Sequence, residues 1–124
     1  MLTQRNPREA YRRVEFDARV SGASPQELVR LCYEQVILSL GGALLAADRK
    51  DNLMKSRALT RAMSALTALQ VGVTGNDSMA QALTHIYTAA RRAVLDSVLT
   101  FDAATIQKVR QDFIEIAESM SRAG

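Results

Sequence analysis

At 124 residues and 13.6 kDa the chain is sized for one domain, which at this length buries roughly two-thirds of the surface its unfolded form exposes and folds without metal or disulfide. Six glycines, two prolines, three phenylalanines, three tyrosines and no tryptophan are too few turn and aromatic residues for a sandwich or barrel, so an all-α fold is expected. The net charge of +3 comes from 16 basic against 13 acidic residues, and acidic side chains interrupt both arginine-rich stretches, which argues against the one-sided basic footprint of a nucleic-acid binder.

The single Cys32 rules out an internal disulfide and a cysteine-based zinc site. The beginning of the chain has no signal-peptide core, and a reducing cytoplasm is the expected home. The longest uncharged apolar run, residues 36–47, carries Ser39, Gly41 and Gly42 and falls short of a membrane span, so no membrane insertion is expected.

Residues 1–23 read as a separate polar, arginine-rich N-terminal segment ahead of residues 24–124. Within it Tyr11, Val14 and Ala18 recur at helical spacing, while Phe16 falls off that stripe. So short a helix does not persist alone in water and has to dock on the body or stay mobile. Ser24-Pro25-Gln26-Glu27 is the sharpest local signal, with a serine to cap, a proline at the first helical position and a glutamate placed for a capping box. The helix that starts there is expected to run to Ala47. Leu28, Leu31, Cys32, Val36, Leu40, Ala43 and Leu44 form its stripe, and Val29, Tyr33 and Ile37 widen the apolar surface. Gly41-Gly42 inside it marks a close helix approach or a soft point.

After a charged turn at residues 48–51, a second helix over residues 52–71 carries Leu59, Ala62, Met63, Leu66 and Leu69 at i, i+3, i+4, i+7 and i+10. A loop with Gly72, Gly75, Asn76 and Asp77 leads to a third helix, whose inner face is expected to hold Met79, Leu83, Ile86, Tyr87, Ala90, Val94 and Val98. Asp102 caps a fourth, lined by Ile106, Val109, Phe113, Ile116, Ala117 and Met120. Four helices joined by short loops predict an antiparallel up-down four-helix bundle over residues 24–124.

Catalytic chemistry finds little support. His85, the only histidine, has no His or Cys three or four residues away, and no Glu-x-x-His pair exists for a di-iron site. Cys32 sits among apolar neighbours as a small hydrophobe, and the glycines match no phosphate-cradling spacing. No enzyme activity, cofactor or metal is expected. The wide apolar surface of the first helix leaves three uses open: a well-filled core, a homodimer face, or a groove for an amphipathic partner helix.

Three features are then taken together: Tyr11 near the start, GASPQELVRLCYEQVI over residues 22–37, and SMAQALTHIYTAARRAVL over residues 78–95. Their order and spacing resemble the flagellar secretion chaperone family FliS over nearly the whole chain. The family pattern is an N-terminal Tyr, a Ser-Pro-x-x-Leu helix start leading to a Leu-Tyr-Asp-type triplet, and a later Leu-x-x-Ile/Leu-Tyr. Tyr11, Ser24, Pro25, Leu28, Tyr33, Leu83, Ile86 and Tyr87 carry the likeness. The chain departs from the pattern at Cys32, Glu34 and Gln35, at residues 70–73, and in lacking a tryptophan near the end of the last helix.

The resemblance implies a cytoplasmic, non-enzymatic chaperone of type III secretion that binds the C-terminal segment of flagellin, prevents premature polymerisation and delivers it to the flagellar export apparatus. It further implies partner-binding residues Tyr11, Leu28, Leu31, Tyr33, Leu83, Ile86 and Tyr87 on the first and third helices, with Tyr11 as a removable lid. The alternative from another class is a homodimeric helical adaptor or regulator that touches nucleic acid through the basic residues of the second helix.

Overall fold

The computed structural model describes residue 17 and residues 19–123. Four long helices carry the fold: α1 (Pro25–Asp48), α2 (Asn52–Gly72), α3 (Ser78–Leu99) and α4 (Ala103–Ala123), and no strand occurs among the described residues. Residues 19–21 are helical ahead of α1. Arg19 there holds Glu34 of α1 through a 2.7 Å ion pair.

Each helix starts where a side chain can satisfy its first orphan amides. Ser24 accepts from the Glu27 amide at 3.2 Å while the Glu27 carboxylate accepts from the Ser24 amide at 3.1 Å, the reciprocal capping box expected of this tetrapeptide. The Ser24 backbone and hydroxyl hydrogen bonds hold the Glu27 carboxyl below the usual range. Asp51 accepts from Met54 at 3.0 Å, Asp77 from Ala80 at 2.8 Å, and Asp102 from Ala104 at 3.1 Å. The end of α1 closes as a Schellman turn, in which the Asp51 amide reaches the Ala46 carbonyl and the Lys50 amide reaches Ala47. Lys50 takes the left-handed position of that turn with φ 58°.

α1 packs against both α2 and α4, and α3 packs against α2 and more thinly against α4. Val36, Leu40 and Ala43 of α1, Leu59, Ala62 and Leu66 of α2, Val94 of α3 and Ile106 of α4 are almost wholly buried at the centre. Two glycines serve the close approaches of α1. A Cβ on Gly42 would touch Ala58 at 3.8 Å, and one on Gly41 would lie 3.0 Å from the Arg110 Nε, which donates to the Ile37 carbonyl at 3.0 Å.

Three expectations about faces are corrected. Met79 and Val98 were placed on the inner face of α3, yet they are 66% and 48% exposed, and the core takes the small Ala80 and Ser97 at those ends instead. Met120 likewise emerges at the end of α4. By length and composition alone α1 is long and apolar enough for a membrane span, although its uncharged run at residues 36–47 stops short of one. Its contacts with α2 and α4 account for that breadth, since a helix apolar around most of its circumference needs more than one neighbour to cover it.

Candidate partner-binding groove

The thin contact between α3 and α4 leaves a groove of about 540 Å³ along their seam. Ile86, Ala89, Ala90 and Ala93 form its α3 wall, and Ala104, Val109 and Phe113 contribute from α4. His85, Thr105, Lys108 and Asp112 add the polar lining, with Lys108 and Asp112 paired one helical turn apart at 3.2 Å. The alanines create the opening, because a side chain of one carbon cannot bridge to the opposite helix. An apolar floor with small walls and a few polar groups suits the ridge of an amphipathic helix.

Behind the floor stands an aromatic cluster. The ring of Phe113 lies 5.2 Å from that of Tyr33 and 6.2 Å from that of Tyr87, and the two tyrosines meet edge to face at 6.1 Å. Their hydroxyls share a 2.7 Å hydrogen bond. Burial raises both phenols above their ordinary range, Tyr33 strongly, so each stays neutral. Burial raises the Cys32 thiol as well, which keeps it from being a thiolate nucleophile.

Of the seven residues singled out from the sequence, Ile86 lines the groove directly. Tyr33 and Tyr87 are core residues, 1% and 3% exposed, that support Phe113 from behind. Leu83 is half-buried against the core. Leu28 is half-buried and Leu31 nearly buried on the N-terminal half of α1, where Leu31 lines a smaller polar pocket with Arg19, Glu27, Arg30 and Glu34. Tyr11 lies outside the described residues. Sequence reasoning expected the first and third helices to supply the groove; α1 and α3 meet through Tyr33 and Tyr87 inside the core, and an open seam lies between α3 and α4. It missed Ala89, Ala90, Ala93, Val109 and Phe113, for which the run of small residues on one face of α3 was the available signal. Among the described residues, no group of three or more His, Cys, Asp or Glu side chains converges to hold a metal ion.

The sequence matches the family model described as Flagellar protein FliS over residues 7–123. It is 27% identical over 114 residues to the Flagellar secretion chaperone FliS of Salmonella typhimurium strain LT2, an alignment covering 90% of this chain and 84% of that protein. The family match takes in all four helices and the whole groove, and the chain therefore belongs to the FliS family of flagellar proteins.

Proposed function

We propose that the protein is a cytoplasmic, non-enzymatic chaperone of type III secretion, built as an antiparallel up-down four-helix bundle. It binds the C-terminal segment of flagellin, keeps it from polymerising prematurely and delivers it to the flagellar export apparatus. The observation that carries this reading is the open apolar groove between α3 and α4 in a chain that belongs to a flagellar family and has a secretion chaperone among its relatives. An amphipathic segment that folds into the groove hides the apolar face through which it would otherwise self-associate. The ordering entropy it loses on folding moderates the affinity and so helps release at the export gate. Residues 1–23 act as a lid on this surface, with Tyr11 its removable anchor.

Calorimetric titration with the C-terminal segment of the same organism's flagellin tests the reading. One-to-one binding with a negative heat-capacity change and weak salt dependence supports it, and no binding sinks it. For the lid, Tyr11→Ala should alter the affinity and leave the melting transition in place.

A further inference from the structure

We propose that the outward face of α1 is a self-association surface, on which a second copy of this chain docks antiparallel across the Gly41–Gly42 bond. The inference does not depend on what the α3–α4 groove binds. α1 turns its inner side to α2 and α4, and Leu38 and Leu45 remain 62% and 48% exposed on the side left over. Glu34, Leu38, Leu45 and Arg49 follow one another at i, i+4, i+11 and i+15, which at about 100° per residue keeps all four within roughly 60° of the helix circumference. None of the four lines the groove.

The symmetry of that face identifies its occupant. Leu38 stands three positions before Gly41 and Leu45 three after Gly42, while Glu34 stands seven before Gly41 and Arg49 seven after Gly42. A two-fold axis at the glycine pair therefore sets Leu38 against Leu45 of the second copy and Glu34 against its Arg49, and each contact is made twice. An in-register parallel pairing would oppose glutamate to glutamate and arginine to arginine, so the charges select the antiparallel one. The glycines leave no side chain at the crossing, which lets the two helix axes approach to about 8 Å, the short end of helix packing.

Both charged partners are available for the contact. Arg19 takes one carboxylate oxygen of Glu34 at 2.7 Å and reaches the other only at 3.4 Å, which leaves lone pairs for an incoming guanidinium. Arg49, the C-cap of α1, is exposed. One helix face buries less than the roughly 800 Å² a side of a standard interface, so monomer and dimer should exchange at about 10–100 μM.

Sedimentation equilibrium of the full chain from about 5 to 500 μM tests this, beside Leu38→Gln, Glu34→Arg and Arg49→Glu, with helical spectra and melting transitions recorded for each. Wild type should pass from monomer to dimer with concentration, and Leu38→Gln should weaken association roughly tenfold. Glu34→Arg and Arg49→Glu should each stay monomeric alone, because like charges meet twice. An equimolar mixture of the two should form a heterodimer, in which the new arginine faces the new glutamate and the native Arg49 faces the native Glu34. A folding defect in either variant produces no such rescue. A wild type that is monomeric throughout, a dimer that Leu38→Gln and both charge reversals leave intact, or a mixture no more associated than its parts overturns the proposal.

Discussion

The hydroxyls of Tyr33 and Tyr87 bond to each other at 2.7 Å, 54 positions apart in sequence and almost wholly out of water. Each is the other's partner in the interior, so removing one leaves a buried polar group unmatched. Tyr33→Phe or Tyr87→Phe alone should therefore cost about 1–3 kcal/mol in urea unfolding, and the double variant should recover part of that loss. Additive losses would show that the pair is not coupled. Because both rings back Phe113, truncation of either to alanine should weaken partner binding only through damage to the fold.

The same burial sets the alkaline limit of stability. Tyr33 and Tyr87 hold their protons above their unfolded range, chiefly through desolvation, and so does Cys32. Groups raised in this way stabilise the fold below their unfolded pKa, near 8.5 for the thiol and 10 for the phenols, and that contribution is lost as pH climbs past those values. The unfolding free energy measured in urea should hold from neutrality to roughly pH 8.5 and then decline, by up to about 1.4 kcal/mol per pH unit for each group that titrates. A variant combining Tyr33→Phe, Tyr87→Phe and Cys32→Ala should flatten the decline.

The helix starts were legible because capping is local: Ser24 with Glu27, Asp51, Asp77 and Asp102 sit beside the amides they bind, and no distant residue alters that geometry. Faces were less legible. Met79 and Val98 continue the apolar stripe of α3 by spacing, but whether a stripe residue is buried depends on a neighbouring helix reaching that far. The groove was least legible of all. Its walls are alanines, which hydrophobic patterning counts as weak core residues, and only the spacing of α3 from α4 turns their small size into an opening.

Gly41 and Gly42 are adjacent, and their substitution should have different outcomes. Alanine at Gly42 meets only an ordinary contact with Ala58, so Gly42→Ala should raise stability by up to about 1 kcal/mol through helix propensity. At Gly41 the new methyl crowds the Arg110 Nε at 3.0 Å and disturbs its bond to the Ile37 carbonyl, so the same propensity gain is offset. In an Arg110→Ala background Gly41→Ala should regain roughly the full 1 kcal/mol. Equal effects of Gly41→Ala in the two backgrounds would dissociate the glycine from the arginine.

Lys50 occupies the left-handed residue of the Schellman turn, a position where a Cβ is costly and glycine is usual. Lys50→Gly should stabilise the protein by about 0.5–1 kcal/mol, read as a higher urea midpoint at an unchanged slope. A loss would mean that the extra freedom of glycine in the unfolded chain outweighs the relief of strain.

Ala89 is exposed on α3 and lines the groove, which makes it the residue that best separates binding from folding. Ala89→Arg keeps a good helix former at a solvent-facing position, so unfolding free energy should move by no more than about 0.5 kcal/mol. The long cationic side chain would lie across an opening whose walls are single carbons and leave no room for a partner ridge. Affinity for the flagellin segment should fall by at least tenfold, which corresponds to about 1.4 kcal/mol. As a control, Leu99→Arg places the same charge on an 85% exposed residue outside the groove lining and should leave that affinity intact. Equal losses in the two variants would indicate a general charge effect; a loss confined to Leu99→Arg would move the binding surface to the far end of α3.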